Sequence, residues 1–337
     1  MRVAVPGPYN TLVCLEVRMR RIVLAAALLA ALLGGCQRQK KRLIAVVPKA
    51  NAHLFWVSVQ AGAMAAGKEF NVDIEWNGPA TETDYTRQIQ ILDSYISRQV
   101  DGICVAASER KALSGVLDRA AAAGIPVIVF DSGVDAGNYV SFVATDNVEA
   151  GRMGARAMAK ILNGRGKVAN LMHMPGSFST MDREKGFEEV IGKEFPGIHI
   201  VARQYGMSDR GKSMAAAENM LTAHPGLDGI FCSTEPSSTG AALAIKGREL
   251  VGKVKLVGFD ASDMMVEDLK NGTMQAMVVQ DPFGLAREAM RLMVEKLDGR
   301  PVPKRVDLNA RVVWKEDLEK PDVMRLLRPE PKKYLSK

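Results

Sequence analysis

The sequence predicts an α/β fold of two similar lobes with parallel sheets, and three observations carry that prediction. Apolar strand-like runs alternate with helical stretches, the pattern of a parallel sheet with right-handed crossovers. The alternation runs twice in the same internal order. Val100-Asp101-Gly102-Ile103-Cys104-Val105 leads through a helix to Pro126-Val127-Ile128-Val129-Phe130-Asp131-Ser132, and Leu227-Asp228-Gly229-Ile230-Phe231-Cys232 leads through a helix to Val257-Gly258-Phe259-Asp260-Ala261-Ser262. Each half thus ends a strand on Phe-Asp. Ligands of open α/β sheets bind at the carboxyl ends of the strands, so the two halves read as a cleft with Asp131 on one wall and Asp260 on the other.

The elements follow in order. Residues 37–42 are a polar linker, 43–48 a buried strand and 55–70 a helix. A strand at 72–76 precedes an amphipathic helix at 85–98 with apolar Ile89, Leu92 and Ile96. The third strand spans 102–107. An Ala-rich helix at 111–123 is stopped by Gly124 and Pro126, and the fourth strand ends at Asp131. A strand at 139–145 leads to Asp146-Asn147, which caps a helix at 148–162, and the first crossing between lobes falls here. The second lobe repeats the pattern with strands at 168–172, 198–203, 229–233 and 254–259. Its helices lie near 181–194, 211–222, 239–249 and 263–271. The strand at 274–279 is interrupted by Gln280-Asp281-Pro282, where the chain returns, and a helix at 283–297 packs on the first lobe. Residues 312–314 form a late strand, and the tail from Lys315 is charged and peripheral.

These readings give a leader at 1–35 and a linker at 36–42. The N-terminal lobe is 43–145 with 281–309, the C-terminal lobe is 146–280 with 310–320, and the tail is 321–337. A chain of 337 residues accommodates two ordinary domains. Charged residues make up 25% and hydrophobic ones 47%, a globular composition. The net charge is +7, and without residues 1–35, which hold four arginines and one acid, it is +4. No basic cluster falls in the body, which argues against nucleic acid as a partner.

Met19-Arg20-Arg21 opens a charged region, Ile22 to Leu33 is an unbroken apolar run, and Leu33-Gly34-Gly35-Cys36 follows. The run is shorter than the ~20 residues that span a bilayer and matches a signal-peptide core of ~7–15 residues. The small residues before Cys36 resemble a lipobox, which implies a diacylglyceryl group on the Cys36 thiol and cleavage before it. A plain signal peptide with a chance cysteine is the alternative. Residues 1–18 fit no normal leader, and Met19 makes the better start. Cys104 and Cys232 occupy equivalent strands of different halves and read as buried free thiols.

Several chemistries are excluded. Gly164-Arg165-Gly166-Lys167 lacks the glycine spacing and the following Ser/Thr of a phosphate loop and precedes a strand. His53, His173, His199 and His224 show no metal-ligand spacing. No Gly-x-Ser-x-Gly elbow is present. No cofactor and no metal are implied.

The sequence resembles the type I periplasmic binding proteins of the ribose and simple-sugar group, which feed ABC importers. The resemblance covers about residues 43–314. It rests on Pro48-Lys49 with His53-Leu54-Phe55-Trp56 and Ala61-Gly62-Ala63, then on Gln88-Ile89 with Leu92 and Val100-Asp101-Gly102-Ile103. Asp182-Arg183-Glu184-Lys185-Gly186-Phe187, Asp209-Arg210-Gly211-Lys212, Leu221-Thr222-Ala223-His224-Pro225, and Val257-Gly258-Phe259-Asp260 with Gln280 complete it. It implies two Rossmann-like lobes joined by three strand crossings, closing on one small ligand. LacI-type repressors share the fold but begin with a helix-turn-helix, where this chain carries a lipoprotein signal.

The resemblance also implies the site. Phe55 and Trp56 match an aromatic pair that stacks on sugar rings, and His53 a hydrogen-bond donor. Asp131 and Asp260 match strand-end acceptors for hydroxyls, with helix capping as the plainer reading. Arg183 offers a planar fork to two oxygens, and Gln280 both donates and accepts. Glu235 stands where relatives carry Asp or Glu, after Thr234 in place of Asn. Ser132 replaces a frequent arginine, Ala106-Ala107-Ser108 stands where an asparagine is common, and Ser208 replaces a stacking aromatic of some relatives. The expected function is an ABC importer's binding component: monomeric, lipid-anchored in the periplasm or cell envelope, taking a monosaccharide or small polyol and meeting an ABC permease. A sensory module for a chemoreceptor or kinase is one rival. A glycosidase using paired carboxylates ~5–9.5 Å apart is the other.

Overall fold

The computed structural model describes residues 41–51, 53–327 and 332–335. The leader, Cys36 and residues 37–40 lie outside the described residues.

Two six-stranded sheets organise the chain. The first holds β1 (Leu43–Val47), β2 (Asp73–Trp76), β3 (Gly102–Val105), β4 (Val127–Phe130), β5 (Ser141–Thr145) and β11 (Arg305–Leu308), in the order β11-β5-β4-β3-β1-β2. The second holds β6 (Gly166–Met172), β7 (Ile198–Tyr205), β8 (Gly229–Cys232), β9 (Lys255–Phe259), β10 (Ala276–Val279) and β12 (Arg311–Val313), in the order β12-β10-β9-β8-β6-β7. The two orders are the same topology written twice. Only β12, antiparallel to β10, departs from the parallel pairing. Central strands such as β3, β4 and β8 are buried along their whole length, as a sheet covered by helices on both faces requires.

Helix ends follow local chemistry. Asp84 caps α2 (Tyr85–Ser97) and Asp146 caps α4 (Asn147–Ile161), each side chain accepting the backbone N–H three residues on. Asp281 caps α9 (Pro282–Leu297), with Pro282 in the first turn where no N–H is needed. Close helix crossings demand glycine. A Cβ on Gly62 of α1 (Leu54–Phe70) would stand 2.3 Å from the Phe283 carbonyl oxygen of α9. A Cβ on Gly151 of α4 would stand 1.9 Å from the Arg183 oxygen of α5 (Phe178–Glu194).

The structure departs from the sequence reading in four places. The strand β11 was not anticipated: it alternates half-buried and exposed residues at a sheet edge, so no apolar run marks it. The helix after β8, α7 (Glu235–Gly247), begins at Glu235 rather than at 239, because Pro236 fits its first turn. The buried face of α2 is Gln88, Ile91, Leu92 and Tyr95, with Ile89 and Ile96 at its margin. The tail is not peripheral: after α3 (Ser114–Ala122), α6 (Arg210–Ala223) and α8 (Asp263–Asn271) complete the lobes, α10 (Pro321–Leu327) buries Val323 in the second lobe's core. The short α11 (Lys332–Leu335) sets Tyr334 against Phe283, with ring centroids 5.3 Å apart. Cys104 and Cys232 are free and buried, and burial pushes both thiols up from their ordinary range.

Candidate functional site

The carboxyl ends of both sheets face each other, and every predicted site residue lines the cavity between them. His53, Phe55, Trp56 and Asp131 come from the first lobe. Arg183, Glu235, Asp260 and Gln280 come from the second lobe and the crossing. About 370 Å³ of space there, the open solvent at its mouth included, is free of atoms. A larger apolar groove adjoins it, sharing Phe55, Asp260 and Gln280.

The two aspartates are built alike. Asp131 follows β4 with φ 58°, and its N–H donates to the Val143 carbonyl at 2.8 Å. Asp260 follows β9 with φ 69°, and its N–H donates to the Val278 carbonyl at 2.9 Å. Both backbones are left-handed, a conformation that Asp and Asn tolerate better than most residues. Neither aspartate caps the helix that follows it. Ser262 does that for α8, and Asp131 leads into a loop. Asp260 instead accepts from Gln280 Nε2 at 2.8 Å and from the Glu235 N–H, at the start of α7, at 3.2 Å. Burial raises the Asp260 pKa, opposed by the Arg183 charge and these two hydrogen bonds; the Asp131 charge adds to the rise. Asp131 is held differently, with its Oδ2 3.5 Å from the buried Lys49 Nζ.

Each remaining group is oriented by partners. Arg183 donates from Nε to Asn147 Oδ1 at 2.8 Å and from one terminal nitrogen to the Ser233 carbonyl at 3.0 Å. Its guanidinium lies 3.9 Å from the centroid of the Phe259 ring, a cation–π contact. Glu235 takes Arg210 at 2.6 Å and the Thr239 hydroxyl at 3.0 Å on Oε1, while its Oε2 is buried with no hydrogen-bond partner among the described residues. Gln280 accepts the Thr145 hydroxyl on Oε1 at 2.7 Å, so its amide is engaged in both senses by the protein. Phe55 and Trp56 meet edge to face at 4.9 Å. Trp56 is core, 2% exposed, and Phe55 is partly buried against the same cluster.

The lobes touch across the cleft. Lys49 Nζ donates to Ser177 and Ser179 at 3.1 and 3.2 Å. Phe178 packs edge-on against Phe142 of the first lobe, 6.1 Å between centroids. The Arg110 N–H donates to the Gly176 carbonyl at 2.9 Å. His53 Nε2 lies 3.4 Å from Ser208 Oγ.

Sequence reasoning missed Lys49, Glu82 and His173 as site residues, although all three line the cavity. Glu82 Oε1 accepts from Trp56 Nε1 at 2.9 Å, and its Oε2 lies 3.0 Å from His173 Nε2. Burial opposes ionisation of Glu82, but the His173 hydrogen bond and the charges of His173, Lys49 and His53 hold its carboxyl well below the usual range. The internal repeat held a signal for His173, which follows β6 much as Pro48-Lys49 follows β1. Glu82 carried none, because it sits in the loop between β2 and α2. Among the described residues, no group of three or more His, Cys, Asp or Glu side chains is arranged to hold a metal ion.

A family model described as the periplasmic binding protein domain matches residues 44–301. The ribose import binding protein of Bacillus subtilis is 28% identical over 227 residues, covering 67% of this chain and 72% of its own. The D-allose-binding periplasmic protein of Escherichia coli is 29% identical over 268 residues, covering 77% and 86%. A carbohydrate transporter solute binding protein from Agrobacterium radiobacter, solved in complex with D-arabinose, matches with a TM-score of 0.84 at 30% identity, covering 86% of this chain and 100% of that one. An ABC transporter solute binding protein from Agrobacterium vitis with bound D-fucose matches at 0.82 and 32%, covering 85% and 100%.

Proposed function

The chain belongs to the periplasmic binding protein domain family, and from that premise we propose that it is the periplasmic substrate-binding component of an ABC importer, capturing a neutral monosaccharide or small polyol by closure of the two lobes. It is a binding protein and not an enzyme. The observation that carries the ligand class is the charge balance of the cavity. Each of its four carboxylates already has a partner: Asp131 the Lys49 charge, Glu235 the Arg210 charge, Asp260 the Arg183 charge, and Glu82 the imidazole of His173 together with the charge of Lys49. A net charge on the ligand would have no counter-charge in this desolvated space. Hydroxyls fit what is left, notably the unpartnered Glu235 Oε2. Phe55 offers an apolar ring at the cavity wall. The relatives named for ribose and D-allose, and the structures with D-arabinose and D-fucose, support the same class.

On this reading the site residues proposed from sequence contact or position the ligand, with Gln280 holding Asp260. A ligand touching both lobes shifts the population toward the closed form, which an ABC permease then meets. The monomer is tethered to the membrane through lipid on Cys36. Calorimetry against D-ribose, D-allose, D-arabinose, D-fucose, polyols and one sugar acid, with small-angle scattering for closure, tests the reading. Binding of a neutral sugar with compaction is the expected result; binding of the sugar acid alone, or of nothing, overturns it.

A further inference from the structure

The first turn of α5 carries a second-lobe side chain into the first lobe. Phe178 packs on the apolar cluster that holds Val47, Val105, Val129 and Phe142, and among the described residues it is the one second-lobe hydrophobic side chain there. Its ring meets Phe142 edge to face, 6.1 Å between centroids. The Arg110 guanidinium covers the ring at 4.8 Å, and Asp135 holds that cover by accepting from Arg110 Nε at 2.8 Å. Gly133 stands so close that an added Cβ would lie 3.1 Å from the Phe178 ring. Phe142, Arg110, Asp135 and Gly133 all belong to the first lobe. They form a socket, and Phe178 is the plug.

Polar contacts flank the plug on both sides. The Arg110 N–H donates to the Gly176 carbonyl at 2.9 Å. The Ser179 N–H donates to Ser132 Oγ at 3.3 Å, and Lys49 Nζ donates to the Ser177 and Ser179 hydroxyls. Lys49, Ser132, Ser177 and Ser179 are all buried, so these cross-lobe bonds are made away from water. Ser132, which stands in place of a frequent arginine, is short enough to let the end of α5 approach. Among the described residues, the lining of the sugar cavity includes Ser179 and Thr180 but neither Phe178 nor Gly133. The plug therefore acts on the site without touching what the site holds.

We propose that Phe178 is a positioning residue for sugar capture, a plug that seats when the lobes close and so holds bound sugar in place from outside the cavity. The inference rests on the closure reading above. A buried aromatic side chain removes ~150–250 Å² from water, and parting the lobes returns much of that area to solvent. Plug and sugar both favour the closed form, so each strengthens the other. Coupling of this kind changes affinity ~5–150-fold. Sugar enters before the plug seats, so the effect falls on release and not on association.

The test is rapid-mixing kinetics of the full chain with whichever of D-ribose, D-allose, D-arabinose and D-fucose binds most tightly. Phe178→Ala is expected to raise the release rate ~tenfold, with association unchanged within ~twofold. Gly133→Val drives a methyl into the ring from the opposite lobe and is expected to speed release in the same way. The Gly133 backbone is not left-handed, so this variant reads the contact and not backbone strain. In the double variant the ring is gone, and the valine adds nothing to the effect of Phe178→Ala. Unchanged release in Gly133→Val, a change confined to association, or full additivity in the double variant overturns the inference and leaves the transport reading standing. Absence of binding of all four sugars by the parent chain removes both.

Discussion

Gln280 donates through Nε2 to Asp260 Oδ1 at 2.8 Å while its own Oε1 accepts the Thr145 hydroxyl at 2.7 Å. Thr145 ends β5 at the first crossing, and Gln280 follows β10 at the second. One relay of side chains therefore ties two hinge strands to a carboxylate of the cavity. Thr145→Val keeps the volume and leaves a buried acceptor unmet, at a cost of ~1–3 kcal/mol. Denaturant melts are expected to show that loss, and calorimetry a weaker sugar affinity, because Asp260 loses its fixed orientation.

Asp131 and Asp260 hold left-handed backbones, with φ 58° and 69°. Asn accepts this conformation and Val does not. Asp131→Asn keeps the left-handed backbone but leaves the buried Lys49 ammonium without its counter-charge, so a lower melting temperature than the parent's is expected. It should weaken sugar binding ~tenfold, since charged hydrogen bonds are worth ~1.5–3 kcal/mol against ~0.5–1.5 for neutral ones. Asp131→Val should lower the melting temperature further, because it adds backbone strain to the same lost pair. Equal stability of the two variants would show that backbone strain plays no part there.

Burial pushes Glu184 up to about 7, against hydrogen bonds from the His173 backbone and Ser233 and the charge of Arg183. Unfolded, the group returns to its ordinary value of 4.5. The folded state thus binds more protons across the window from 4.5 to about 7, and stability falls as pH rises through it. Glu184→Gln is expected to flatten that slope and to stabilise the protein above pH 7 by up to ~3 kcal/mol. Urea melts at pH 5 and pH 8 measure both effects.

Two glycines of neighbouring helices should respond in opposite directions. Gly151→Ala drives a Cβ to 1.9 Å from the Arg183 carbonyl oxygen. Overpacking of this kind costs ~1–3 kcal/mol, and sugar affinity should fall with it as Arg183 shifts. Gly192 of α5 has nothing within 4 Å of its added Cβ, so Gly192→Ala should stabilise by ~0.5–1 kcal/mol. Thermal melts and calorimetry on the two variants separate the effects.

The proposed lipid anchor has its own test. Cys36→Ser is expected to move the protein from the membrane to the soluble fraction of cells without changing sugar affinity, because the described residues of the cavity fall between Lys49 and Gln280.

Much of this molecule was written locally. Strand and helix periods, the Asp-Gly-Ile repeat and the capping aspartates are properties of short windows. The alternation, the doubled lobe and the strand ends carrying Asp131 and Asp260 were therefore all legible. The half-exposed edge strand at Arg305–Leu308 was not legible, since its partner β5 supplies what its own sequence lacks. The tail helix was likewise hidden, because Val323 is buried only by packing on a distant core.

For the site, the sequence by itself determined which side chains stand at the carboxyl ends of the strands, because side-chain direction alternates along a strand and the hydrophobic run fixes where it stops. Only the tertiary structure decided which of those groups meet, and at what charge. Glu82 reaches His173 from another lobe, 91 residues away, and Lys49 is held between Asp131 and the second lobe's serines. Such pairings depend on how two separately folded sheets close on each other, and no window of sequence contains that geometry.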